Sequence, residues 1–422
     1  MRLGSLFTGL GLLDQGVLDV LGGDLAWFAE HDPADERRSA YCRAVVQARH
    51  PAAVSLGNVT TIDGAQLAAV DVLALGFPCQ DISPAGSGGG LQGARSGLWA
   101  HVPRILREMR AAGTALPTTL IIENSSYLPA RGLGVVLRDL AALGYTAGWQ
   151  VIGANGVGAP HRRERTAVVA RLDGRVPTWP DLRALQRANV ADWFNPEQEP
   201  APRTVAPYPR GDARVRWRTD AVAALGNGVC LPWARMVATA ARDAAPPALG
   251  LLGEPLGARL SWDADALPPA GVMVGGELYT EGRVYSRGDA ERAMLETAIC
   301  RLYGRLLPTP TKGTYGSNQG GAAGRQGPVR PALQTLAREL PSTLGRLAAR
   351  GDLAAMLATP TRKGNDNRAG LTERSGDGLA TQARAMRADQ RATLLHPAWV
   401  AWLMGAPASM VPLLGAVDSE AA

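Results

Sequence analysis

The sequence predicts an α/β protein: a mostly parallel sheet with flanking helices, followed by a smaller C-terminal domain. Three observations carry that expectation. The run from Val70 to Leu75, interrupted only by Asp71, has the continuous hydrophobicity of a strand buried on both faces. It leads directly into Gly76-Phe77-Pro78-Cys79-Gln80, a break that places Cys79 past a strand's carboxyl end, where open α/β sheets hold ligands. Two further runs, Ala26 to Glu30 and Leu120 to Glu123, also read as strands, each ending in a carboxylate.

The 422 residues suffice for two domains or one large one, and 46% apolar against 19% charged residues is a core-forming composition rather than a disordered one. A net charge of +6 and a pI near 9.4 permit a polyanionic partner without demanding one. Arginine supplies nearly all the positive charge; the two lysines are Lys312 and Lys363. The cysteines, Cys42, Cys79, Cys230 and Cys300, are scattered without a C-x-x-C pair, which argues against a zinc site or a disulfide framework. Asp14 and Asp19 interrupt the apolar N-terminal region, so it does not read as a signal peptide. No run approaches the length of a membrane span, and the expectation is a cytoplasmic protein with no metal and no membrane contact.

Taken in order, Leu3 to Gly11 reads as a short strand turning through glycines into a helix carrying Leu12, Leu13, Val17 and Leu18. Plain βα-turn geometry and close approach to a ligand are both open for that turn. Glu30 is either a solvated strand-end charge or an acceptor for ribose hydroxyls. After Cys79, the glycine-rich segment Gly86 to Gly93 leads to Arg95, Leu98 and Trp99, then a helix through Val102, Ile105, Leu106 and Met109. Strands at Leu120 to Ile122, Tyr145 to Ile152 and Thr166 to Ala170 follow, the last entered through His161-Arg162-Arg163-Glu164-Arg165. Residues 173–215 are rich in Pro and Trp and read as a surface connector. Gly226-Asn227-Gly228-Val229 then opens a helix from Ala234 to Arg242. The remaining chain holds a partial repeat, Thr309-Pro310-Thr311-Lys312-Gly313 and Thr359-Pro360-Thr361-Arg362-Lys363-Gly364, which suits phosphate contacts or simple turns equally.

Gly-Phe-Pro-Cys-Gln around Cys79 resembles the catalytic signature of the DNA cytosine-5 methyltransferases, and the other motifs occur in that family's order. Phe7-x-Gly9-x-Gly11 is similar to the family's S-adenosylmethionine loop, with Leu12 where another glycine is usual. Asn58 stands where the family has an Asp, Ser125 follows Glu123-Asn124 where Val is usual, and His161 replaces the Gln of the arginine motif. What the resemblance implies is a Rossmann-like, S-adenosylmethionine-dependent methyltransferase core over residues 1–172, closed by 216–245, with 246–422 as a DNA target-recognition domain. Its late Leu403-Met404-Gly405-Ala406-Pro407 is similar to an element of phage-type relatives, although on physical grounds it is a core helix and turn.

The implied roles are specific. Cys79 is the nucleophile, Glu123 faces N3 of the base, and Arg165, supported by Arg163, faces O2. Phe7, Gly9, Leu10, Gly11, Glu30, Asn58, Gly76, Pro78, Leu98, Asn227 and Val229 line the cofactor; Gln80, Ser83, Arg95, Lys312 and Lys363 meet DNA. The implied partner is double-stranded DNA, with a monomeric enzyme and a cognate restriction enzyme as a further partner class. A transfer-RNA cytosine enzyme and a catalytically silent DNA-binding protein are the rival expectations.

Overall fold

The computed structural model describes residues 1–78, 96–159, 161–182, 184–186, 204–205, 212–248, 257–262, 266–280 and 394–406. The chain divides into two compact units: Met1–Ile152, Glu164–Pro180 and Trp233–Ser286 form one, and Gly153–Arg163, Asp181–Pro232 and Arg287–Ala422 the other.

The first unit is built on a ten-stranded sheet. Its strands are β1 (Arg2–Leu6), β2 (Asp24–Ala29), β3 (Val54–Ser55), β4 (Val72–Leu75), β5 (Thr119–Ser125), β6 (Thr146–Gly153), β7 (Glu164–Arg171), β9 (Arg259–Leu260), β10 (Ala270–Val274) and β11 (Glu277–Tyr279). They lie in the order β3-β2-β1-β4-β5-β7-β6-β10-β11-β9. From β3 to β5 every pairing is parallel. The order reverses at β1/β4, the switch point at which doubly wound sheets bind ligands.

Helices α1 (Leu12–Leu21), α2 (Glu36–Arg49), α3 (His101–Ala111), α4 (Leu128–Arg131) and α5 (Leu133–Ala142) connect these strands. Leu73 and Leu75 of β4 and Leu120 and Ile122 of β5 share one core with Ile105, Leu106 and Met109 of α3 and Val136 and Leu140 of α5. The alternate residues Ala74 and Ile121 are also fully buried, so both faces of these strands are covered. That two-sided burial accounts for their unbroken hydrophobicity.

Two features depart from the sequence expectation. β7 runs antiparallel to β5, from Thr119↔Arg171 to Ser125↔Arg165, and sits between β5 and β6. The link from β6 to β7 is too short for a parallel crossover, which needs a dozen or more residues, so the strand returns antiparallel. The boundary expected at 246 also falls elsewhere. β10 pairs antiparallel with β6 (Ala270↔Gln150) and β11 with β9, so residues 257–280 extend the main sheet.

In the second unit, α6 (Ala213–Asn227) packs with α8 (Pro397–Leu403). β8 (Thr204–Val205) pairs antiparallel with β12 (Leu394–Leu395). Trp399, Val400 and Leu403 are fully buried, which bears out the physical reading of this stretch as a core helix. His396 caps that helix, its Nδ1 accepting from Ala398 N–H at 3.1 Å. Burial lowers the His396 pKa, which keeps Nδ1 able to accept.

Taken as one stretch, Val215–Arg242 is long and apolar enough to cross a membrane, contrary to the sequence expectation, and 78% of its most apolar window is buried within the protein. It comprises α6 and α7 (Leu231–Arg242), of 15 and 12 residues, each shorter than the roughly 20 residues of a spanning helix.

Candidate active site

The turn after β1 is the first half of the site. Phe7, Gly9 and Gly11 have φ of 58°, 56° and 70°, so three of five residues occupy the left-handed region. Glycine takes that region freely, whereas Phe7 stores strain of about 1–3 kcal/mol, a cost found where a backbone is held for a ligand. Gly9 N–H donates to Oε2 of Glu30 at 2.8 Å, tying the turn to the end of β2. The other carboxylate oxygen accepts from Ser39 Oγ–H at 3.2 Å, and Arg43 binds the Glu30 carbonyl at 3.1 Å. Burial pushes the Glu30 pKa up, opposed by the hydrogen bonds from Gly9 and Ser39.

Asn58 lies at the start of a short 3-10 turn, Val59–Thr61, where its side-chain oxygen accepts from Thr60 N–H at 3.0 Å. One lone pair of that oxygen is thus already used within the turn.

The second half is the edge formed by β4, β5 and β7. Glu123 pairs in register with Ala167, so Arg165, two residues before it on β7, is a diagonal neighbour on the same face. Their side chains meet at 2.7 Å, Arg165 Nε to Glu123 Oε1, with 25% and 15% exposure, so both are open to an incoming group. Asn124 points the other way and donates from Nδ2 to the carbonyl of Phe77 at 3.0 Å. Phe77 also packs on Trp99 with ring centroids 5.1 Å apart, and Trp99 Nε1 donates to Asp139 at 2.8 Å. The backbone that leads to Cys79 is therefore fixed beside Glu123. At Gly76 a Cβ would lie 3.0 Å from Glu123 Oε2, so a side chain there would crowd the carboxylate. Leu98 is partly exposed next to Trp99.

Arg163 has a different place from the one expected. It is 4% exposed and donates from Nη1 to the Gly226 carbonyl at 3.0 Å and from Nη2 to the Gly228 carbonyl at 2.6 Å. Its planar fork matches carbonyls left over at the C-terminal end of α6, so it braces the turn carrying Asn227 and Val229 rather than facing a substrate. Asn227 is exposed and Val229 buried. His161, standing where Gln was expected, is fully buried with Nε2 3.0 Å from the Leu403 carbonyl.

Cys79, Gln80, Ser83, Arg95, Lys312 and Lys363 lie outside the described residues. Sequence reasoning missed Ser5, Asp14, Ser39, Arg49 and Asn124, all of which hold the site's backbone or carboxylates. For Asp14 a signal was present: Val17 and Leu18, three and four residues on, place it on the apolar face of α1, where a solvated charge does not belong.

Comparison with known proteins bears on this arrangement. The family model described as C-5 cytosine-specific DNA methylase matches residues 1–202. Type II methyltransferase M2.BsuMI of Bacillus subtilis (strain 168) is 31% identical over 176 residues, which cover 41% of this chain and 42% of the relative. Type II methyltransferase M.NgoBV of Neisseria gonorrhoeae is 34% identical over 143 residues, 33% of each chain. The chain thus spans less than half the length of these relatives. Among solved structures it is similar to the S. pombe Dnmt2 methyltransferase, with 17% identity and a TM-score of 0.31 over 41% of this chain and 50% of that one. The similarity to the C-5 cytosine-specific DNA methylase family thus covers residues 1–202 of the 422.

Proposed function

We propose that the protein is a site-specific DNA cytosine-5 methyltransferase acting on a cytosine turned out of the duplex. The observation that carries this reading is the Glu123–Arg165 pair, at 2.7 Å, beside the Gly76-Phe77-Pro78 backbone that leads to Cys79.

C5 of cytosine is a poor nucleophile. The Cys79 thiolate adds to C6, forming an S–C bond and sending the ring electrons toward N3 and O2. Glu123 holds a proton at N3, and the Arg165 guanidinium neutralises charge at O2. General acid work of this kind contributes about 10²–10⁴ in rate, and a placed donor at a developing oxyanion about 10²–10³. C5 would then accept the methyl group as its bond to the cofactor's sulfonium sulfur breaks and the electron pair stays on that sulfur; loss of the C5 proton to a base and cleavage of the C–S bond would restore the ring and release Cys79. Inside a duplex C6 is out of reach, so the nucleotide is flipped at a cost of a few kcal/mol.

The residues fit S-adenosylmethionine. Nothing lies within 4 Å of where a Cβ at Gly9 would stand, leaving room above the turn, and Glu30 ends β2 where ribose hydroxyls are bound in related sheets. When bound, the cofactor supplies an electrophilic methyl group. Phe7 to Gly11 would hold it, and Glu30 would orient its ribose. Residues beyond the main sheet, with Lys312 and Lys363, read the flanking DNA in this proposal, and a restriction enzyme is its partner, as the Type II relatives suggest.

Bisulfite sequencing of plasmid DNA from cells expressing the protein, beside a Cys79→Ala control, tests this. Methylcytosine at one short motif, absent from the control, is the expected outcome. Unmodified DNA in both samples would overturn the DNA reading and bring transfer RNA forward as the substrate to assay.

A further inference from the structure

Among the described residues, Asp14 is the one buried carboxylate beneath the turn that the proposed chemistry does not use. It is 2% exposed, on the first turn of α1. Ser5 Oγ lies 2.8 and 2.9 Å from its two oxygens, and 2.9 Å from Thr8 Oγ1. Thr8 Oγ1 donates in turn to the Ala29 carbonyl at 3.1 Å, one residue before Glu30. On the other side, Arg49 of α2 donates from Nη1 to the Leu10 carbonyl at 2.9 Å and from Nη2 to Gln15. A Cβ at Gly11 would touch both groups, 3.4 Å from Asp14 Oδ2 and 3.7 Å from Arg49 Nη1. The five-residue turn therefore rests on one carboxylate, one guanidinium and two hydroxyls.

We infer that Asp14 is a positioning residue for the cofactor turn, holding it through Ser5 and Arg49 and doing so in its ionised form. This rests on the reading of Phe7 to Gly11 as the cofactor turn. The direction follows from the hydrogen atoms available. Ionised Asp14 only accepts, so the Ser5 hydroxyl must donate to it while Thr8 keeps its own hydrogen on the Ala29 carbonyl, and the charge attracts Arg49, which grips the Leu10 carbonyl. Protonated Asp14 donates to Ser5, the hydroxyl chain runs the opposite way toward Thr8 and the Ala29 carbonyl, and the attraction for Arg49 is lost.

Burial raises the Asp14 pKa to about 7, against lowering by Ser5 and Arg49, so the two forms exchange near neutrality. The other charged groups around it are Asp19 on α1, which meets Arg235 at 2.7 Å, and Glu30 across the turn. Burial and the neighbouring Arg49 lower the pKa of His50, opposed by Asp24. Because the folded-state pKa of Asp14 lies above its unfolded value, its ionisation costs stability as pH rises through about 7. The structure thus gives up stability to keep a charge beneath the turn, the kind of trade found at functional sites.

The test uses the full-length protein, Asp14→Asn and Ser5→Ala. The Asp14 carboxyl is titrated by carbon-13 NMR, S-adenosylmethionine affinity is measured by calorimetry from pH 6 to 8, and thermal midpoints are taken at both ends. The wild type should bind about fivefold more tightly at pH 8 than at pH 6, the low end of typical coupling between two sites. Asp14→Asn should hold the weaker value throughout and yet melt higher than the wild type at pH 8. Ser5→Ala should shrink the step. An Asp14→Asn protein that follows the wild-type binding curve, or that loses affinity and stability together, overturns the inference. A wild type that binds without a step sinks this inference alone. No binding by any variant, with Asp14 still titrating, sinks the cofactor reading and this inference with it.

Discussion

Glu30 and Glu123 are both carboxylates at the carboxyl ends of strands in the parallel part of the sheet, β2 and β5, with β1 and β4 between them, and the sequence presents them alike. Their surroundings separate them. Glu30 is held by a backbone N–H and a serine hydroxyl, and its pKa is raised by burial. Glu123 is bound to the guanidinium of Arg165 on an antiparallel strand. A carboxylate held by neutral donors and fixed to the turn suits ribose hydroxyls. One paired with a partly exposed guanidinium suits a base whose charge changes during reaction. The lesson is that a strand-end acid acquires its role from what the next strand brings beside it.

The comparison predicts a crossed pattern in mutants. Glu123→Gln should lower kcat by about 10²–10⁴, the range of general acid contributions, while its S-adenosylmethionine affinity stays within a few-fold in calorimetry. Equal loss of both quantities would erase the distinction. Glu30→Gln should do the reverse, weakening cofactor affinity by roughly ten- to a hundredfold, as hydrogen bonds to charged groups contribute about 1.5–3 kcal/mol, with kcat at saturating cofactor little changed. Because the Glu30 pKa is raised, wild-type cofactor affinity should also fall with decreasing pH at values above the ordinary glutamate range, and that limb should vanish in Glu30→Gln. The smallest effect is expected from Ser39→Ala, which removes one donor to Glu30: about threefold in affinity, the worth of a single neutral hydrogen bond. A Ser39→Ala effect on kcat rather than affinity would show that Glu30 takes part in the chemical step.

A cut after Ala245 would separate the core that the resemblance implies from the region it implies for target recognition. It removes β9, β10 and β11 from the main sheet, and with them the cover over Trp149, whose Nε1 donates to the Pro268 carbonyl at 2.9 Å. Such a chain tests folding before it tests recognition.

Much of the first unit was legible because its signals are local. The apolar run before Gly76, the glycine turn after β1 and the acids closing β2 and β5 each lie within a few consecutive residues, and local sterics and burial dictate them. What the sequence could not disclose depends on partners far along the chain. Arg163 and Arg165 are two residues apart on the way into one strand, yet one binds the carbonyls of Gly226 and Gly228 and the other Glu123. Nothing in the local pattern distinguishes them; alternation along the strand does not either, since residues two apart share a face. Asp14 looked like a charge breaking an apolar stretch until Ser5, Thr8 and Arg49 were seen around it. The amino-acid sequence by itself determined the strand ends, the turn and the order of the motifs. The pairing of β7 with β5, the extension of the sheet beyond β6 and the partner of each buried charge were decided by tertiary structure, because register and desolvation are properties of groups brought together across the chain.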